Sequence, residues 1–99
     1  MSRKTVLVTG ASRGIGKAIA LELEKNHYDI VINYLTSHEA AAKLKEEIIN
    51  TYSVRCLTIC ADVSDVNQVD QMVSEIEEKL GGVDILVNNA AIDLSNLFH

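Results

Sequence analysis

Proline is absent from the 99 residues, cysteine occurs twice and glycine five times. A chain without proline has no proline-rich linker, and neither a low-complexity segment nor an internal repeat interrupts this one. The two cysteines, Cys56 and Cys60, cannot bridge each other if residues 55–61 form a strand. They would then lie about 13 Å apart, whereas a disulfide needs Cα atoms within about 7 Å. No His–Cys cluster has metal-ligand spacing, so both read as small buried apolar side chains. No apolar run approaches the ~20 residues of a membrane span, and the apolar stretch after Met1 is too short for a secretory signal. A cytoplasmic protein with no membrane partner is the expectation.

Bases are also scarce, 9 against 14 acids, for a net charge of −5. That balance argues against nonspecific binding to nucleic acid. The deficit is uneven. Arg3, Lys4, Arg13 and Lys17 precede the first acid, Glu22, so the start carries +4 and the remainder −9. What is present in quantity is apolar: 47% hydrophobic with 23% charged is a globular balance, and the length fits one domain.

Residues 5–9 read as a short strand, β-branched and apolar on both faces, as in a buried parallel sheet. Ile15, Ile19 and Leu23 then recur at helical spacing. Residues 29–33 form a second strand, and Thr36 with Glu39 reads as a capping box for a helix lined by Ala40, Leu44 and Ile48. A third strand covers 55–61. Ser64 caps a third helix with the stripe Val66, Val69, Val73, Ile76 and Leu80, ended by Gly81-Gly82. Residues 84–88 are a fourth buried strand. The order β-α-β-α-β-α-β specifies an α/β fold, a Rossmann-type doubly wound parallel sheet, with ligands expected at the carboxyl ends of its strands.

Three of the five glycines fall in Gly10-Ala11-Ser12-Arg13-Gly14-Ile15-Gly16, between the first strand and the first helix. A nucleoside-triphosphate loop would need glycine at Ala11 and a hydroxyl at Ala18, and is excluded. A nucleophile elbow, Gly-x-Ser-x-Gly, matches residues 10–14 and would make Ser12 a hydrolase nucleophile, with Asp84 and His99 as candidate partners. It leaves Gly16 unexplained, and too few residues precede Gly10 to supply the elbow's oxyanion donor. A dinucleotide loop fits with spacing Gly-x-x-x-Gly-x-Gly, its bare backbone letting helix N–H groups approach a pyrophosphate.

Residues 9–16, Asp62-Val63 after the third strand and Asn88-Asn89-Ala90 after the fourth together resemble the short-chain dehydrogenase/reductase family, over the whole chain. Within it the likeness is to the 3-oxoacyl-(acyl-carrier-protein) reductase branch. The resemblance implies that Gly10, Ala11, Ser12, Arg13, Gly14, Ile15 and Gly16 surround the cofactor phosphates. It implies that Asp62 accepts from the adenine amino group beside the Val63 backbone, that Asn88 ties the central strands, and that Ala90 passes the cofactor ribose. Ala91 stands where the family commonly has glycine, which restricts the backbone at the nicotinamide end.

The second strand ends in Asn33-Tyr34-Leu35-Thr36, with no acid before Glu39. An acid there would bond a ribose 2′-hydroxyl and repel a 2′-phosphate, so the expected nicotinamide dinucleotide is NADP(H), with Arg13 and Lys17 supplying positive charge. Catalysis in the family uses a Ser and Tyr-x-x-x-Lys. Four residues beyond Tyr28, Tyr34 and Tyr52 stand Ile32, His38 and Cys56, so no such motif occurs and no catalytic residue is assigned. Residues 1–99 are therefore expected to be the N-terminal cofactor-binding part of one Rossmann domain, inactive alone, from a carbonyl reductase that is a homo-oligomer at full length. The alternative is a non-catalytic nucleotide-binding protein complete at this length.

Overall fold

The computed structural model describes residues 4–10, 18–19, 21–23, 26–51 and 54–89. Four strands, β1 (Thr5–Thr9), β2 (Asp29–Tyr34), β3 (Cys56–Cys60) and β4 (Ile85–Asn88), make one parallel sheet in the order β3-β2-β1-β4. Two helices, His38–Thr51 and Val66–Leu80, are bounded among these residues, and 18–19 and 21–23 are also helical. The inner strands β1 and β2 are buried along nearly their whole length, while β3 and β4 are partly exposed. Near-continuous Val, Ile and Leu suits strands covered on both faces.

Alternation along each strand divides the core into two layers. Val6, Val8, Ile30 and Ile32 pack with Ala41, Leu44 and Ile48 of the helix His38–Thr51, and Leu21 and Leu23 join them. Leu7, Val31 and Ile59 pack on the other face with Met72 and Ile76 of the helix Val66–Leu80. Helices on both faces of a parallel sheet, with this strand order, are the Rossmann-type doubly wound α/β arrangement.

Local details differ from the sequence reading at both helix caps, on the core faces of both helices and at Cys60. Asp65, not Ser64, caps the helix Val66–Leu80, its carboxylate accepting from the N–H groups of Asn67 and Gln68. Ser64 is already engaged by Asp62. For the helix His38–Thr51 the first intrahelical bond runs from Ala41 N to Ser37 O, which puts the cap at Ser37 rather than Thr36. The core face shifts with it: Ala41 is buried and Ala40 only half-buried. In the next helix Met72 takes the core position and Val66, at the first turn, is 61% exposed. Finally, Cys56 is buried but Cys60 is exposed at the end of β3, its thiol 3.3 Å from Leu35 O.

Gly81 ends the helix Val66–Leu80 in the left-handed region, at φ 88°, with its N–H donating to Glu77 O. Two carboxylates pin the amino ends of the strands. Asp84 Oδ2 accepts from Thr5 N at 2.8 Å, and Asp29, fully buried, accepts from Arg55 N at 2.8 Å and Nε at 3.0 Å. Those anchors lie at the sheet edge opposite the carboxyl ends.

Candidate functional site

The strand order places β1 between β2 and β4, so the chain reverses direction of growth across the sheet at the β1–β4 boundary. Ligands of such sheets bind outside the carboxyl ends at this switch point. Register aligns those ends: Thr9 sits opposite Asn33 on one side and Asn88 on the other. The Thr9 hydroxyl donates to Asn88 Oδ1 at 3.0 Å and accepts from Asn89 N at 2.8 Å. Asn89 Nδ2 donates to Gly10 O at 3.2 Å. One hydroxyl and two amides thus lock the exits of β1 and β4 together.

Gly10 leaves β1 with φ 62°, a conformation that side chains with a Cβ rarely adopt. A Cβ built there would meet Asn89 Nδ2 at 3.5 Å, which is ordinary contact, so the dihedral rather than crowding demands glycine. Gly10 is exposed at this boundary, with Asn89 its neighbour there.

At the end of β2, Asn33 is buried and its Nδ2 donates to Ala61 O at 3.1 Å, with a longer contact to Ile59 O at 3.4 Å. The amide bridges β2 to the exit of β3. Tyr34 follows, its hydroxyl 3.0 Å from His38 Nδ1 and its ring edge-on to the imidazole at 5.0 Å. No acidic side chain stands between Asn33 and Glu39.

Beyond β3, Asp62 starts the turn into the helix Val66–Leu80. Its Oδ1 accepts from Ser64 Oγ at 2.6 Å and Ser64 N at 2.9 Å, while its own N–H donates to Gln68 Oε1 at 2.8 Å. The Ser64 hydroxyl, then the Ser64 backbone N–H, hold the Asp62 carboxyl below its ordinary value, against a small opposing effect of burial. The group is therefore an ionised acceptor at neutral pH. Its second oxygen, Oδ2, takes no hydrogen bond among the described residues. Val63 lies half-buried in the same turn.

Of the residues singled out in the sequence, Gly10, Asn33, Tyr34, Asp62, Val63 and Asn88 all fall along this carboxyl edge. Ala11, Ser12, Arg13, Gly14, Ile15, Gly16, Ala90 and Ala91 lie outside the described residues. Asn33 reaches the edge but spends its amide on β3. Thr9, Asn89, Ser64 and Gln68 belong to the site's framework without having been assigned a role in it. Thr9 and Asn89 stand in the motifs and Ser64 reads as a helix cap, whereas Gln68 carries no signal in the sequence. Among the described residues no group of three or more His, Cys, Asp or Glu could hold a metal ion, and no helix is long and apolar enough to cross a membrane.

Comparison with known proteins agrees with this geometry. The 3-oxoacyl-[acyl-carrier-protein] reductase FabG of Staphylococcus aureus is 45% identical over 94 residues, covering 95% of this chain and 38% of that protein. The chain thus spans well under half the length of this curated relative. A short-chain dehydrogenase from Burkholderia cenocepacia, solved in complex with NADP, superposes with TM-score 0.84 at 43% identity, over 92% of this chain and 37% of that one. A blue fluorescent protein from a metagenomic library, solved with NADPH, gives TM-score 0.83 at 40% identity, over 94% and 38%. The family model for short chain dehydrogenases matches residues 4–99. With its strand order, its switch-point lock and this match, the chain belongs to the short-chain dehydrogenase family.

Proposed function

We propose that residues 1–99 are the NADP(H)-binding part of an oxidoreductase that reduces a β-keto thioester or related carbonyl. The observation that carries this reading is the locked carboxyl edge at the β1–β4 boundary. Thr9, Asn88 and Asn89 fix the strand exits there, and Gly10 leaves a bare backbone beside them.

The residues present fit a dinucleotide. Asp62 keeps one carboxylate oxygen for a donor such as the adenine 6-amino group. The end of β2 carries the Tyr34 phenol and, at the start of the next helix, the His38 imidazole, with the Asn33 amide engaged on β3 and no carboxylate, which suits a ribose 2′-phosphate better than an acid would. The relatives solved with NADP and NADPH support the same choice. Bound there, the cofactor supplies the hydride. This chain's residues hold its adenosine half, and Arg13 and Lys17 in the glycine-rich segment add positive charge for the phosphates.

The name of the FabG relative supports a 3-oxoacyl thioester as substrate. No Tyr-x-x-x-Lys occurs among the 99 residues, so the chain alone binds cofactor without turning over carbonyl substrates. Calorimetric titration of the purified chain with NADPH and NADH tests the reading. NADPH binds at least about tenfold tighter, and Arg13→Ala weakens it, as loss of a charge-assisted phosphate contact requires. Equal affinities, or an Arg13→Ala variant that leaves NADPH binding unchanged, would overturn the choice of NADP(H).

A further inference from the structure

Gln68 is the third residue of the helix Val66–Leu80, in its first turn, and its side chain folds back onto the turn that precedes the helix. Its Oε1 accepts from Asp62 N at 2.8 Å and its Nε2 donates to Asp65 Oδ2 at 3.2 Å. These contacts fix the amide's orientation, because a flip would set N–H against N–H and oxygen against carboxylate. Asp65 in turn caps the helix through Oδ1, and Asp65 N donates to Asp62 O at 3.0 Å. Asp62 is thereby held on its N–H by Gln68, on its carbonyl by Asp65 N, and on one carboxylate oxygen by Ser64.

We infer that Gln68 is a positioning residue that sets the posture of Asp62, and that this posture makes the site select a purine by its 6-substituent. The inference rests on the proposed reading of Asp62 as the adenine acceptor. Both Ser64 donors point at Oδ1, so Oδ2 is the oxygen left for a ligand, and an ionised carboxylate oxygen only accepts. Adenine presents an amino donor at position 6 and is attracted. Hypoxanthine presents a carbonyl oxygen there and is repelled. A site whose acceptor is fixed rejects the wrong partner more strongly than one whose acceptor can swing aside. Without Gln68, Asp62 N loses its acceptor and Asp65 loses its second tether, so the turn is held by Ser64 and by Asp65 N alone. The carboxylate can then turn away from an opposing carbonyl, and selectivity falls.

The test compares binding of NADP+ with its hypoxanthine counterpart, deamino-NADP+, by calorimetry on the full 99-residue chain. One charge-assisted hydrogen bond corresponds to a preference of about tenfold or more for NADP+. Gln68→Leu is expected to cut that ratio to below about threefold while the preference for NADP+ over NAD+ stays unchanged, which general loosening of the fold would not produce. The exchange Gln68→Glu with Asp65→Asn keeps Asp62 N donating to an oxygen of residue 68, rebuilds the contact between residues 65 and 68 with donor and acceptor swapped, and restores the ratio. If Gln68→Leu does not fold, the exchange variant decides alone, a retained ratio supporting the inference and a collapsed one overturning it. A wild-type ratio near one, or an unchanged ratio in Gln68→Leu, overturns the inference and leaves the cofactor reading standing. Absence of NADP+ binding by the wild-type chain overturns both.

Discussion

Replacing Asn33 by aspartate puts a carboxylate at the end of β2, the region where NAD-binding sheets carry one. In this chain the Asn33 side chain serves the fold, because its Nδ2 bonds Ala61 O at 3.1 Å and approaches Ile59 O at 3.4 Å from a site only 3% exposed. Asn33→Asp removes a donor and faces an anion towards two carbonyl oxygens. Loss of the amide contacts costs about 1 kcal/mol each. The charge adds more, but no more than the cost of protonating it. For a carboxyl of ordinary value about 3.9, that ceiling is about 5 kcal/mol at pH 7.5 and about 1.5 kcal/mol at pH 5.0. The introduced group has its folded value raised above its unfolded one. Its protonated form therefore favours folding, and that favour is lost as pH rises. Asn33→Asp should cost about 3–6 kcal/mol at pH 7.5 and recover as much as about 3 kcal/mol by pH 5.0. Asn33→Ala should cost about 1–3 kcal/mol with little change between the two. Urea unfolding followed by circular dichroism reads both, with midpoints moving by roughly 1 M per kcal/mol for a chain this small. An Asn33→Asp variant within about 0.5 kcal/mol of wild type at both pH values would refute the buried bridge, and would mean that the side chain faces the ligand cleft.

Three further outcomes follow from single contacts. Gly81→Ala should destabilise by about 1–2 kcal/mol through its φ of 88° alone, since nothing lies within 4 Å of the added Cβ. Thermal unfolding measures this, and Gly81→Asn should cost less. Ser64→Ala removes the largest cause of the lowered Asp62 carboxyl, so a carbon-13 titration should show that group moving up towards its ordinary value. In the wild type the lowered group contributes stability above its unfolded value, and that contribution is lost as pH falls through its folded value, so Ser64→Ala narrows that acid window. Of the two thiols, Cys60 should react with Ellman's reagent in the folded protein and Cys56, 6% exposed, only on unfolding. A thiol count of two before denaturant would contradict the buried placement of Cys56.

Much of the fold was legible because buried parallel strands leave a strong mark. The residues Thr5–Thr9, apolar and β-branched on both faces, stand as a strand with the expected bounds. The caps were harder to place because adjacent residues compete. Ser64 and Asp65 are both good cap residues, and the choice falls to Asp65 because the Asp62 carboxylate has claimed the Ser64 hydroxyl and N–H. Thr36 and Ser37 pose the same ambiguity. Exposure of Cys60 follows from its place at the end of a strand with a described neighbour on one side only, which strand composition does not encode. At the site, the strand-end residues Gly10, Asp62 and Asn88 were marked by motif. The contacts that orient them were not, because Thr9 meets Asn88 across 79 positions, and Gln68 meets Asp62 only when a helix turn folds back.

The most direct measurement of the central claim is amide chemical-shift mapping of the isotopically labelled chain during titration with NADPH. The account predicts saturable shifts at Gly10, Asp62, Val63 and Asn89 along the carboxyl edge, with Lys4, Arg55 and Asp84 at the opposite edge unmoved. Shifts centred on that opposite edge, or no saturable shifts at any amide, would contradict it.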